Sequence, residues 1–375
     1  MDIELTEDQR LLQDATRGFL ASAAPLALVR KLADSGETYD LAHWRTGAGQ
    51  GWTALFVPEA YGGIAESSRG LIDGAIVAEE LGRVVYPGPF LPGAVAAFAL
   101  ANYGSPAQQE AWLPRLATGE RVVASAFANP GPRGGTEPGG VRVVRRGEDL
   151  VLAGTAACVE EAQSADAFLV TAVGEDGISQ LLVPATAPGL TVEPLQPLDL
   201  GRRLAKVRFA EVTLSARDLV GQAGGAAQAF ERQFQIAVVL QCAETLGVVD
   251  RAFEICCDYT QQRIVFGRPV ASYQAIKHRL ADHVTQIEGM RAIVAHAAQA
   301  VQHHAADAAI AVSIAKSQCG RWGSEIGRDA MYLHGGIGVT WEHDMHFYLR
   351  RAVSNEALWG SPAAHHERLC RLAGL

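Results

Sequence analysis

The first part of the chain carries apolar residues at helical spacing. Between residues 11 and 20 they recur three or four positions apart, as on one face of an α-helix. Thr6, which is followed by acidic residues, provides an N-cap. The helical pattern returns over residues 70–81 and 93–101, and glycines and prolines between 47 and 63 interrupt it. This region predicts several helices joined by a loop.

The middle of the chain has a different pattern, with short apolar runs separated by turn residues. The runs lie at residues 141–144, 150–153, 168–173, 180–183 and 205–209. Glycine and acidic residues at 147–149 and 175–177 separate neighbouring runs. Short runs at this spacing are typical of antiparallel β-structure.

The last part becomes helical again, and its periodic stretches are long. Residues 227–259, 274–304 and 308–333 contain few helix-breaking residues, and helices of this length suit a bundle. The order of patterns predicts an α+β fold of three domains. They are an N-terminal helical domain at 1–121, a middle antiparallel β domain at 122–225 and a C-terminal long-helix bundle at 226–375.

Composition excludes several classes of protein. Hydrophobic residues make up 49% of the 375 residues, which is enough for a large core. The net charge of −9 argues against a nucleic-acid partner. No apolar run reaches the roughly 18 residues of a membrane span. The acidic N-terminus and six scattered cysteines predict reduced thiols and a cytoplasmic location.

Five motifs in order make the chain similar to the acyl-CoA dehydrogenase family. They are GW…VPEAYGG at 51–63, EELG at 79–82, YGSPAQQE…LPRLATGE at 103–120, YTQQRIVFGRP…QAIK at 259–277 and HGGIG at 334–338. Each motif alone is weak, but together they span nearly the whole chain.

The resemblance implies a reaction, a cofactor and partners. Members of the family oxidise acyl-CoA thioesters: a carboxylate removes the proton α to the thioester, and a hydride leaves the β carbon for FAD. The FAD lies at an interface between subunits, and an electron-transfer acceptor reoxidises it. An acyl-CoA substrate, a second subunit and an electron acceptor are therefore the expected partners.

The resemblance also implies cofactor-binding residues, which would reach the FAD of a neighbouring subunit. They are Arg263, Phe266, Gln274, Gly335, Gly336 and Gly338. A guanidinium can bind pyrophosphate, and glycines allow backbone amides to approach a ligand closely. Without the resemblance, the same residues would be interpreted as a solvated helix-end charge and a tight turn.

The sequence departs from the family at the catalytic base. Trp359 occupies the place of the glutamate in the family's Tyr-Glu-Gly triplet, and Ala237 occupies the alternative base position. Glu356 and Glu244 are weak candidates for a displaced base, since each shares a helix face with one of those positions. The alternative is that both are structural or solvated carboxylates.

The flavin-contacting motifs of the β domain are also altered. Residues 128–133 stand where the family has the start of TEPGAGSD, and 154–161 stand where it has GxKxWITN. Cys158 and Glu160 thereby replace the tryptophan and threonine that contact the flavin. Tyr332 stands where the family often has glutamine.

The base and the flavin-contacting motifs are lost, whereas the residues that would reach a neighbouring subunit's FAD are retained. This pattern favours a base-lacking subunit that completes the FAD site of a heteromeric enzyme. The run 333–344 most resembles the bacterial enzymes that act on steroid or other bulky acyl-CoA thioesters. A homomeric enzyme with a displaced base and a non-catalytic scaffold subunit remain alternatives. The cluster at 342–346 lacks the His-Glu-x-x-His spacing, and no metal is predicted.

Overall fold

The computed structural model describes residues 4–23, 26–35, 39–64, 70–127 and 136–375. The helices of the first part are α1 (Glu7–Ala23), α2 (Leu26–Ser35), α3 (Leu41–Ala48), α4 (Gly70–Arg83), α5 (Phe90–Tyr103) and α6 (Pro106–Ala117). The predicted cap of α1 is confirmed. The Thr6 hydroxyl accepts from the Gln9 amide at 3.3 Å, and the Gln9 side chain accepts from the Thr6 amide at 3.1 Å. These reciprocal bonds form a capping box.

A seven-stranded sheet occupies the middle of the chain. Its strands are β1 (Val123–Ala126), β2 (Val141–Arg146), β3 (Asp149–Glu160), β4 (Ala167–Gly174), β5 (Gly177–Pro184), β6 (Leu190–Pro194) and β7 (Leu204–Leu214). The order is β1-β4-β2-β3-β7-β6, and β5 pairs with β4. All five predicted runs form strands, whereas β1 and β6 were not predicted.

The sheet is mixed, so the prediction of a purely antiparallel domain was wrong. β1 runs parallel to β4, with Val123 opposite Ala167, and β2 meets β4 in parallel at one residue pair. Turn residues indicate that sequence neighbours such as β2 and β3 form hairpins. They carry no information on pairs formed between strands distant in sequence.

The long C-terminal helices are confirmed. They are α7 (Ala227–Gln262), α8 (Gln274–Gln302) and α9 (Ala308–Leu333), followed by α10 (Met345–Ala357) and α11 (Pro362–Leu372). A short hairpin of β8 (Ile264–Val265) and β9 (Arg268–Pro269) separates α7 from α8. No helix in the described ranges combines the length and apolarity that crossing a membrane requires.

The N-terminal and C-terminal helices share one hydrophobic core, while the sheet has a core of its own. Gly82 on α4 and Gly247 on α7 allow the two helix backbones to touch. A Cβ at Gly82 would lie 2.1 Å from the Glu244 carbonyl oxygen, and one at Gly247 would lie 1.8 Å from that of Glu79. The α+β class is confirmed. The domain limits at 121/122 and 225/226 stay a prediction, because the outer helices pack as one unit.

Candidate cofactor and substrate site

The end of β3 carries the side chains that stand in the flavin-contact motif. The pairing of β3 with β7 slips between Ala156 and Val159, and Cys158 has a φ of 52°. Such a bulge changes the direction in which side chains point. Cys158 is exposed, whereas Glu160 turns into the protein and comes within 3.1 Å of the Arg202 guanidinium.

Glu160 belongs to a buried network of five charged side chains, which we call the buried centre. Its members are Glu160, Asp199, Arg202, Glu244 and Arg351. The Glu244 carboxylate accepts from Arg202 at 2.7 Å and from Arg351 at 2.6 Å. Arg351 also donates to Asp199. The network therefore joins β3, the loop before β7, α7 and α10.

Backbone and amide groups also bond to the buried centre. The Asn355 amide donates to Glu244 at 2.9 Å, and the Gly201 amide donates to Asp199 at 2.9 Å. Arg351 donates to the Tyr86 carbonyl oxygen at 3.3 Å. Buried charges are tolerated when they are paired and hydrogen-bonded in this way.

The carboxylates of this region differ in proton affinity. Burial alone would raise the pKa of Glu244, but the charges of Arg202 and Arg351 outweigh burial and lower it to about 2. Burial raises the pKa of Glu160, and Arg202 opposes this only in part. Burial and the neighbouring Glu160 raise the pKa of Glu161 to about 8. Glu244 is therefore ionised at neutral pH, while Glu161 is mostly protonated.

The space beside the buried centre is small. A cavity of about 30 Å³ lies between these charges and apolar side chains of α4, α5 and α7, which is room for about two water molecules. The aligned position of Glu160 is where the family resemblance places a flavin contact. A cavity of this size is too small for a flavin ring held by this chain, although Glu160 Oε2 and two Arg202 nitrogens are buried there without a hydrogen-bond partner among the described residues.

Aromatic side chains fill the place of the usual base. Trp359 stacks on Phe127 with 4.6 Å between ring centroids, and its ring lies 6.2 Å from that of Phe234. The His365 ring stacks on Phe234, with 5.9 Å between the ring centroids. Burial lowers the pKa of His365 to about 3, so this imidazole is neutral. A hydrocarbon cluster with a neutral imidazole offers no carboxylate for proton abstraction.

The two candidate bases lie in different surroundings. Glu244 is held by two arginines, and a carboxylate with a pKa of about 2 is a weak proton acceptor. Its geometry supports the structural alternative. Glu356 contacts α9: it accepts from the Ser324 hydroxyl and lies 3.9 Å from Arg328. A catalytic role for Glu356 stays a prediction.

Three of the predicted cofactor-binding residues, unlike the buried centre, are exposed on one segment. We call residues 263–274 the arm. Phe266 stands at the tip of the β8–β9 hairpin with 95% of its surface exposed and a φ of 50°. The Tyr273 hydroxyl donates to the Val265 carbonyl oxygen at 2.8 Å, which ties the hairpin to the start of α8. Arg263 and Gln274 are both exposed.

The glycine turn, Gly335–Val339, lies at the same end of the helical bundle as the arm. His334 stacks on Tyr259 at 4.5 Å, and Tyr259 is one turn before the arm begins. Gly335 and Gly336 are exposed, with open space where a Cβ would stand.

Two neighbours of the turn are explained by packing. Gly338 is buried, and a Cβ there would lie 2.6 Å from the Met331 carbonyl oxygen. This close packing accounts for the glycine without a ligand. The exposed ring of Tyr332 lies under the Arg279 guanidinium, 5.3 Å from its centroid.

The arm and the turn together present an arginine, an aromatic ring, an amide side chain and glycine backbone to the outside of this chain. Such groups suit a phosphate-containing cofactor with an aromatic base. Because these groups face outward, a ligand that they contact would lie outside the core of this chain. The residues of the 128–133 motif lie outside the described residues.

The buried centre and the aromatic cluster were not anticipated from the sequence. The only signals were the adjacent charges Arg202-Arg203 and Arg350-Arg351, which equally fit exposed positions. Within the described ranges, no group of three or more His, Cys, Asp or Glu side chains is arranged to hold a metal ion.

Comparisons with known proteins agree with the motifs. The model described as "Acyl-CoA dehydrogenase, N-terminal domain" matches residues 6–120, and "Acyl-CoA dehydrogenase, C-terminal domain" matches residues 209–371. The chain is 32% identical to acyl-CoA dehydrogenase IpdE2 of Mycobacterium tuberculosis, over 97% of this chain and 96% of that protein.

Solved structures give the same result. The Tcur3481-Tcur3483 steroid ACAD G363A variant superposes with a TM-score of 0.89 at 32% identity, covering 98% of both chains. The ChsE4-ChsE5 complex from Mycobacterium tuberculosis superposes with a TM-score of 0.90 at 27% identity, covering 100% of this chain and 99% of that one. The chain therefore belongs to the acyl-CoA dehydrogenase family, whose members are FAD-dependent oxidoreductases acting on CH–CH bonds.

Proposed function

We propose that this chain is a base-lacking subunit of a heteromeric acyl-CoA dehydrogenase. It completes the FAD site of a catalytic partner and holds no flavin in its own centre. The partner would supply the carboxylate that takes the α proton, Arg263 and Phe266 of this chain would help to hold the FAD, and a bound FAD would serve as the hydride acceptor. An electron acceptor outside the complex then removes the electrons.

The observation that carries this proposal is the filled position of the base. Trp359 is packed against Phe127 and Phe234, so proton abstraction in this chain has no group to perform it there. The arm, by contrast, remains exposed with the matching residues Arg263 and Phe266. A subunit that serves only another subunit's cofactor requires this combination.

The relatives support a partner and a substrate class. One similar structure is named as a steroid acyl-CoA dehydrogenase of two gene products, and another as a two-component complex. We infer that the acyl group processed by this assembly is bulky and steroid-like. The six cysteines are all free thiols, which supports a location in the reducing cytoplasm.

The contacts of Arg263 within the chain favour a role toward a partner. Its backbone closes the hairpin through a 2.8 Å bond from the Val270 amide. Its side chain is exposed and makes no hydrogen bond or ion pair with the described residues. A guanidinium held on a fixed hairpin, with its donors unused, is ready to bind a pyrophosphate.

The second candidate is a homomeric enzyme with Glu356 as a displaced base. It is favoured by one observation: Glu356 lies one turn before Trp359 and is not locked between arginines, as Glu244 is. This alternative requires stoichiometric flavin in the chain alone, bleaching by acyl-CoA and loss of bleaching in Glu356→Gln.

The test is the flavin content per subunit. The chain is purified alone and together with a base-containing acyl-CoA dehydrogenase from the same organism, as the candidate partner, and flavin absorbance is compared with protein concentration. We expect the chain alone to be colourless and the complex to hold about one FAD per two chains. If the chain purified alone is yellow and holds one flavin per subunit, the proposal is wrong.

An arm variant assigns the effect to this subunit. In the complex, Arg263→Gln should weaken FAD binding by about tenfold to a hundredfold, because charge-assisted hydrogen bonds contribute about 1.5–3 kcal/mol. Arg146→Gln is the matched control, since Arg146 is an exposed arginine of the sheet that pairs with Glu211. Equal flavin retention in the two variants would contradict the role of the arm.

A further inference from the structure

A second and much larger cleft lies away from the buried centre. It has a volume of about 470 Å³, which is in the range of small-molecule sites. Its walls come from the start of α4, the end of α5, the start of α7 and the end of α8. It shares no lining residue with the cavity beside the buried centre.

Slightly more than half of the lining surface is apolar, and the polar side chains of Asn102, Gln302 and His304 contribute to the rest. Aliphatic and aromatic side chains of the segment before α4, of α4, of α5 and of α7 form most of the apolar part, including Leu55, Phe56, Leu71, Phe98 and Ile236. A surface of this kind favours a ligand with an apolar body.

One charged group enters this surface. Arg232, on the first turns of α7, is partly buried and lines the cleft. It donates to the Val301 carbonyl oxygen and, at 3.3 Å, to the Gln235 side chain. Both acceptors are neutral, and the Arg232 Nε is buried without a hydrogen-bond partner in the described structure.

The charge of Arg232 is not compensated by the described protein. Among the described residues, no aspartate or glutamate lines the cleft, and none forms an ion pair with Arg232. The adjacent Glu231 is engaged with Arg368 and Gln235. Burial lowers the pKa of Arg232, yet a guanidinium remains charged. A partly buried cation without a counter-ion attracts an anion.

From these features we infer that the cleft binds a small amphipathic carboxylate. Its carboxylate would lie on the Arg232 guanidinium, and its apolar body would lie along Phe98, Phe56 and Ile236. The inference is independent of the proposed function, because the cleft includes neither the arm nor the buried centre.

Octanoate and 1-octanol test the inference without any variant. The two probes have similar apolar bodies, and only octanoate carries a charge. Titration calorimetry on the full chain should show one octanoate per chain, bound about tenfold to a hundredfold more tightly than octanol. Equal binding of the two probes, or no saturable binding of octanoate, would overturn the inference.

Two variants locate the binding. Arg232→Gln should remove the preference for octanoate over octanol, whereas Arg115→Gln, an exposed arginine of α6, should leave it unchanged. Ala101→Trp fills the cleft from α5 and should reduce the binding of both probes. Octanoate binding that survives Ala101→Trp would place the bound octanoate at another site and contradict the inference. Circular dichroism and thermal unfolding establish that each variant is folded.

Discussion

Arg351 and Arg263 show how differently one residue type is used in two regions of this chain. Arg351 is 1% exposed and donates to two carboxylates and to backbone carbonyl oxygens. Arg263 is exposed on a hairpin and has no such partner among the described residues. The first arginine stabilises the protein from within, and the second is available to a molecule outside it.

Aromatic residues repeat the contrast. Trp359 is stacked within a cluster at the position of the family's base, while Phe266 is 95% exposed at the tip of the arm. Exposing an aromatic ring opposes the hydrophobic effect, so the arm is not explained by the stability of this chain. The comparison teaches that the charges of the centre are paired within this chain, whereas the exposed side chains of the arm are not, as the proposed role toward a partner requires.

The largest change in stability is expected when an arginine is removed from the buried centre. Arg351→Met should lower the free energy of unfolding by about 3–5 kcal/mol, because it leaves the Asp199 and Glu244 charges buried with fewer partners. Urea unfolding followed by circular dichroism measures the change. Arg146→Met is the control, since this exposed pair with Glu211 contributes about 0–1 kcal/mol. Similar small losses in both variants would show that the network does not hold the centre together.

A second test uses the protonated acid beside the centre. The pKa of Glu161 is raised from 4.5 to about 8, so the folded state keeps a proton that the unfolded state loses. Its contribution is fully present below pH 4.5 and is lost as the pH rises through about 8. The Glu161→Gln variant cannot lose this proton. Its unfolding free energy should therefore fall less than that of the wild type between pH 5 and 8, by on the order of 2–4 kcal/mol.

The measurement is urea unfolding at several pH values in that interval. Glu367→Gln provides a control, because Glu367 is an exposed carboxylate of α11. Parallel pH profiles of the wild type and Glu161→Gln would show that Glu161 is ionised in the folded protein.

Local patterns in the sequence predicted much of the fold. The N-cap at Thr6 and the starts of α7, α8 and α9 were predicted because caps and periodicity involve residues only three or four positions apart. The parallel pairing of β1 with β4 was not predicted, because its partners lie about forty positions apart and leave no local pattern.

For the candidate site, the sequence again indicated residues that lie in one local motif and missed pairs that are distant in sequence. The arm residues stand in a continuous motif, so the resemblance could propose them as cofactor-binding residues, and their role stays a prediction. The pairing of Arg202 with Glu244, separated by 42 positions, was missed. A single sequence does not distinguish a buried arginine from an exposed one. Glu244 was therefore considered as a base, whereas the two arginines around it support a structural role.

The smallest effect on this chain is expected at the arm. Phe266→Ala should change its unfolding free energy by no more than about 0.5 kcal/mol, because the ring packs on little of the protein. Phe168→Ala is the matched comparison: Phe168 is fully buried in the sheet core, and its truncation should cost about 3–5 kcal/mol. In the proposed complex with a partner, the Phe266 ring would be buried against the cofactor. Phe266→Ala should then weaken FAD binding by about tenfold or more, because burying such a ring contributes about 1.5–3 kcal/mol. Flavin fluorescence after dilution measures the released cofactor. Unchanged stability with lost flavin would establish that this aromatic residue serves the partner, whereas lost stability would mean that the arm is part of this chain's own fold.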